Sequence, residues 1–167
     1  HLEKILHLLQ QKAERWGYES EPYDALLEEY EPGARAAAVA AQFDLLRPQL
    51  SHIAREAVLR SSNVPIDLLE GHYAVPLQIQ LNREIAESVG FDFEAGRIDT
   101  TAHQFCTKLG PRDVRLTTRY DERDFTSSLF GVLHETGHGL DEQVLPADDY
   151  GLPSGAAASL GIHESQS

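Results

Sequence analysis

Residues 134–138 read His-Glu-Thr-Gly-His, the pattern H-E-x-x-H. The two histidines are four residues apart. Only a helix turns that spacing into two imidazoles on one face, one turn apart. On such a helix both rings can reach one cation, and neutral imidazole is a good zinc ligand. Glu135 projects beside that cation and can take a proton from bound water. The bland reading is two packed histidines and a surface glutamate. Gly137 and Gly139 are poor helix formers, each costing up to ~1 kcal/mol relative to Ala. Their presence predicts that something approaches this stretch of backbone closely.

A catalytic zinc needs a third protein ligand and an open position. Glu142, His163 and Glu164 are the candidates. Glu142 follows His138 by one more turn of the same helix and overshoots the cation. Glu164 lies on a different expected helix, and a loop over 146–155 lets that helix fold back on the first. A carboxylate from a second helix is the arrangement of the Glu-zincin metallopeptidases. His163 either supports a ligand or simply packs.

The rest of the chain reads as helices with one strand. Leu2, Ile5, Leu6, Leu9, Ala13 and Trp16 recur at helical spacing, which predicts an amphipathic helix over 1–16 that ends at Gly17. The acidic stretch 18–32 holds a short helix around 23–30, and its charges read as a solvated face. Residues 33–60 are Ala- and Leu-rich and helical, with Pro48 expected to kink or divide them. Asn63-Val64-Pro65 signals a turn, and 67–70 a single helical turn. A helix over 73–89 has Pro76 in its first turn and Gly90 just beyond its end. Residues 91–111 read as irregular, punctuated by Gly96, Gly110 and Pro111. Residues 112–120 form the one good strand. Helices follow over 126–144 and from 156 onward. The architecture expected is mainly α with a small β element just before the H-E-x-x-H helix.

In that strand Asp113, Arg115 and Thr117 alternate with Val114 and Leu116, so the polar three share a face and the apolar two point to the core. Either the strand offers its edge to an extended peptide by β-addition, or it is half-buried with a solvated polar face. Arg115 could likewise pair a substrate carboxylate through its planar fork, or be tied to Asp113.

Charge and cysteine content narrow the partners. The 167 residues carry 27 acidic and 14 basic side chains, a net charge of −13. Such a chain repels phosphate backbones and anionic membranes, so neither nucleic acid nor membrane is expected. Cys106 is the single cysteine, which excludes an internal disulfide or a Cys-rich zinc site and fits a cytoplasmic setting. The chain begins at His1, contains no Met and stops within a helical pattern. It therefore reads as a segment of a larger protein, with 1–90 a helical scaffold and 91–167 the metal-site region.

Three segments together resemble the carboxypeptidase Taq family of metallocarboxypeptidases. They are Asp113-Val114-Arg115-Leu116-Thr117 (D-x-R-x-T), His134–His138, and His163-Glu164-Ser165-Gln166 (H-E-S-Q). Thr118-Arg119-Tyr120 and Leu152-Pro153-Ser154-Gly155 are similar as well. The resemblance implies a helical zincin-type metallopeptidase fold with a long groove, and homodimers. It implies a zinc- or cobalt-dependent enzyme acting on peptides with a free C-terminus. It makes His134, His138 and Glu164 the metal ligands and Glu135 the general base. His103, Phe105, Asp113, Arg115 and Thr117 then form the candidate substrate-binding set. Two departures stand out. The family's H-P-F reads His103-Gln104-Phe105 here, and two further family motifs expected downstream are absent. Competing readings are a metallo-endopeptidase of similar chemistry, told apart by cleavage of amidated peptides, and a metal-binding but catalytically incomplete segment.

Overall fold

The computed structural model describes residues 1–61, 65 and 69–167. The turn expected at Asn63-Val64-Pro65 and the helical turn at 67–70 fall in part on residues outside that set, at 63–64 and 67–68. The chain divides into two units, His1–Pro65 and Ile66–Ser167.

The first unit is helical. α1 (Leu2–Trp16) ends at Gly17, whose φ of 80° is open to glycine at no steric cost. α2 (Pro22–Leu27) is shorter than expected, and its Asp24 is not part of a solvated face. Asp24 is buried, and its carboxylate accepts the Ala36 N–H at 2.8 Å. This bond ties α2 to the first residue of α3 (Ala36–Ser61). Pro48 lies inside α3, which runs on as one helix rather than two. A proline removes one backbone hydrogen bond, while those of the turns before and after it keep their partners. Of the apolar stripe of α1 only Ala13 is buried; Leu2, Ile5, Leu6 and Trp16 are exposed.

The second unit carries the sheet. α4 (Val75–Ser88) begins two residues later than expected, with Pro76 in its first turn and Gly90 at φ 109° beyond its end. Tyr73 is outside the helix, its N–H donating to the Glu122 carbonyl at 2.8 Å. Three strands follow: β1 (Gly96–Thr100), β2 (Phe105–Gly110) and β3 (Asp113–Thr118). Two of them lie in the region expected to be irregular. The sheet order is β1-β3-β2, with β1 parallel and β2 antiparallel to β3. Gly110 and Pro111 are therefore not breaks but part of a tight hairpin between β2 and β3. Gly96 is not a break either: a Cβ there would overlap the Val114 carbonyl oxygen and crowd the Phe91 ring.

Since β3 is the central strand, both its edges are hydrogen-bonded, and β-addition to it is excluded. Val114 and Leu116 do face the core, with Ala86, Phe91 and Val132. Val132 belongs to α5 (Phe125–Val144), the H-E-x-x-H helix, which packs on β3 and β2 and against α4. Beyond it, two short 3-10 turns (Ala147–Asp149 and Pro153–Gly155) lead to α6 (Leu160–Glu164).

Candidate active site

Asp124 starts α5. Its carboxylate accepts the N–H groups of Thr126 and Ser127 at 2.9 and 3.2 Å, which satisfies two of the donors that every helix start leaves unpaired. The helix then passes unbroken through residues 134–138. Glu135, Thr136 and His138 are buried, while His134 is exposed. The two imidazoles stand edge to face with centroids 4.9 Å apart.

Three glycines give α5 its neighbours. Gly131 lies under the Gln104 amide, Gly139 under Phe91 and Leu116, and Gly137 under the Gln166 carbonyl. A Cβ on Gly137 would overlap that carbonyl oxygen, so glycine is what lets the chain after α6 lie on the H-E-x-x-H helix. The close approach expected from Gly137 and Gly139 is thus observed at both.

That approach brings Glu164 to His138, with Oε2 3.9 Å from Nε2. The spacing is longer than a hydrogen bond. His138 Nδ1 is buried with no hydrogen-bond partner. Among the described residues no three His, Cys, Asp or Glu side chains stand in a metal-holding cluster, so His134, His138 and Glu164 meet only in pairs. Two imidazoles and a carboxylate are nevertheless donors that zinc takes readily. With an uncommitted imidazole facing an exposed carboxylate, this donor set fits a divalent metal. Glu142 is engaged elsewhere: Lys108 Nζ donates to its carbonyl at 2.8 Å and lies 3.6 Å from its carboxylate.

Burial pushes the Glu135 carboxyl above the ordinary range; His134 and His138 oppose this and Glu164 adds to it. Burial, followed by the Glu142 and Glu135 carboxylates, pushes the Cys106 thiol up to about 12. Cys106 is therefore a thiol at neutral pH.

The residues expected to bind substrate are arranged as follows. Arg115 forms a two-pronged pair with Asp113, both contacts 2.8 Å. Thr117 is buried; its hydroxyl accepts the Phe105 N–H at 2.9 Å and lies 3.2 Å from the His103 carbonyl. His103 and Phe105 are exposed. Between them Gln104 donates to Thr118 Oγ1 at 3.2 Å and to the Ser127 carbonyl at 3.4 Å. A side-chain bridge to α5 thus fastens this loop, where the family pattern has a proline. Sequence reasoning passed over Gln104 as a mere departure. It also passed over Asp141, three residues after His138 on the same stripe of α5, whose carboxylate lies 2.7 Å from His163 Nδ1.

A helix bearing H-E-x-x-H, a small sheet packed beneath it and a glutamate delivered from a following helix define a helical zincin-type metallopeptidase scaffold. The chain belongs to the carboxypeptidase Taq (M32) metallopeptidase family, whose model matches residues 1–167. It is 47% identical over 148 residues to thermostable carboxypeptidase 1 of Thermus thermophilus, covering 88% of this chain and 29% of that protein. It is 35% identical over 167 residues to carboxypeptidase 1 of Bacillus subtilis, covering 100% of this chain and 33% of that one. Its fold matches that of the M32 carboxypeptidase from Deinococcus radiodurans R1 with a TM-score of 0.89 at 39% identity, over 99% of this chain and 33% of that one. The chain thus spans about a third of the length of the relatives it matches. No helix among the described residues is long and apolar enough to cross a membrane.

Proposed function

We propose that this chain carries the metal ligands and general base of a metallocarboxypeptidase, and that the whole protein releases C-terminal amino acids from peptides with a free C-terminus. The observation that supports this most is the approach of Glu164, from α6, to His138 of the H-E-x-x-H helix. His134, His138 and Glu164 would hold one divalent metal, with zinc favoured by the donor set and cobalt the alternative. When bound, that ion supplies Lewis-acid polarisation of the scissile carbonyl and acidifies water.

Glu135 is the base. Its buried carboxylate accepts a proton from the attacking water and returns it to the leaving amine nitrogen. A carboxyl raised above its ordinary range is closer in proton affinity to the groups it serves at neutral pH. Arg115 already spends its fork on Asp113. That supports the reading in which the pair braces β3 and the substrate carboxylate is bound elsewhere in the protein. Thr117 acts by holding the 103–105 loop, so His103 and Phe105 are the exposed candidates for substrate contact. Homodimerisation of the whole protein belongs to the same proposal.

A second reading, metal binding without turnover by this segment alone, is favoured by its spanning about a third of its relatives. Elemental analysis of wild type and Glu164→Ala, followed by peptide assays, separates the two. One zinc or cobalt per chain, weakened in the variant, supports the ligand set; metal held equally by both removes Glu164 from it. Loss of the last residue from a free peptide but not from its C-terminal amide supports the carboxypeptidase reading. Cleavage within amidated peptides would replace it with an endopeptidase. In an active protein Glu135→Gln is expected to lower kcat by about 10²–10⁴-fold.

A further inference from the structure

We propose that Asp141 and His163 form a positioning latch that holds Glu164 over the H-E-x-x-H helix. This rests on the reading of Glu164 as a metal ligand. α6 is five residues long, too short to persist on its own. Its N-terminal cap is Ser159, which accepts the Ile162 N–H at 3.1 Å. The direction of α6 must therefore come from what it packs on. Glu164 does not supply this: its side chain is 58% exposed, and its carboxylate accepts no hydrogen bond among the described residues.

The neighbouring residue does. His163 Nδ1 lies 2.7 Å from Asp141 Oδ2, and both side chains are largely withdrawn from solvent. A carboxylate only accepts, so Nδ1 carries the proton and donates it to Asp141. The same ring stacks on His138, with centroids 4.5 Å apart and planes 21° from parallel. Asp141 is seven residues after His134 and three after His138, so all three share one stripe of α5. One imidazole is thus gripped at its nitrogen by the metal-ligand helix and at its face by a metal ligand, and Glu164 is the next residue along. The fixed ring leaves Glu164 little choice of direction. Neither Asp141 nor His163 is a catalytic residue in this proposal, since neither touches the reacting atoms.

The test is zinc affinity, measured by competition with a chromogenic chelator. It uses wild type, Asp141→Ala, Asp141→Asn, Glu164→Ala and the double variant Asp141→Ala/Glu164→Ala, each checked for folding by circular dichroism. Asp141→Ala is expected to weaken zinc binding by about 10–100-fold, the usual cost of losing a group that orients a ligand. Asp141→Asn keeps an oxygen that accepts from Nδ1 and should retain most of the affinity. Its retention also keeps the test valid should the alanine variant fail to fold. In the Glu164→Ala background Asp141→Ala should cost nothing further, because the latch acts through Glu164. Wild-type affinity in Asp141→Ala, or an equal loss with and without Glu164, overturns the latch and leaves the ligand reading standing. Zinc binding unaffected by Glu164→Ala, or absent from wild type, overturns the ligand reading and the latch with it.

Discussion

Glu135 is buried on α5 with a carboxyl that the fold prefers protonated. The folded chain therefore binds this proton more tightly than the unfolded chain. The stability lost to Glu135 grows as pH rises from the ordinary carboxylate range through the raised value, and it is complete above that. In metal-free protein Glu135→Gln should raise the melting temperature by a few degrees at pH 7, and the gain should vanish in acid. Thermal melts of the two proteins across pH check this; a Gln variant that melts below wild type at pH 7 would refute it. The side chain proposed as the base is thus one that the metal-free scaffold would be more stable without.

At the level of elements, α5 joins the cap that starts it to the glycines that let other segments touch it. Asp124 is held below the ordinary carboxylate range, first by the Thr126 hydroxyl and then by the Ser127 N–H. Its stabilising effect is present above the unfolded value and is lost as pH falls through the lowered one. Asp124→Ala should thus lower the melting temperature at pH 7, and the two proteins should converge in strong acid. Equal melting temperatures at pH 7 would show that the cap does not stabilise the helix. The helix itself was legible in the sequence because H-E-x-x-H, its apolar neighbours and its length agree. β1 and β2 were not. Gly-Arg-Ile-Asp-Thr has no clear alternation, and it is a strand because β3 supplies its partners. Gly96 and Gly110 look like punctuation in a list of residues, yet one makes room for Phe91 and the other closes a hairpin.

Across the whole molecule, the surface is apolar where an acidic chain would be expected to be wet. α3 has no buried residue, and Phe43, Leu46, Leu50 and Ile53 all lie open, as do Leu2, Ile5 and Leu6 of α1. Exposed apolar area of this kind favours association, while a net charge of −13 opposes it. The chain should therefore associate more as salt screens that repulsion, with the Debye length falling from about 10 Å at 0.1 M to about 3 Å at 1 M. Sedimentation velocity at low and high salt measures this directly; a monomer at both would show that the exposed helices are not adhesive.

Local spacing by itself determined the H-E-x-x-H helix, the place of Glu135 on it and the two facing histidines, because a helical period is a property of neighbouring residues. It also pointed to Glu164, through the length of chain needed to fold back and through the H-E-S-Q resemblance. Only the tertiary structure decided that Arg115 is spoken for by Asp113, that Gln104 fastens the loop before β2, and that Asp141 reaches His163. The last two pairings join residues whose partners are set by how strands and helices pack, whereas Asp113 and Arg115 are neighbours on one face of β3 and their pairing was one of two alternatives open in the sequence. A short polar side chain carries no sign in the sequence of which distant donor it will meet.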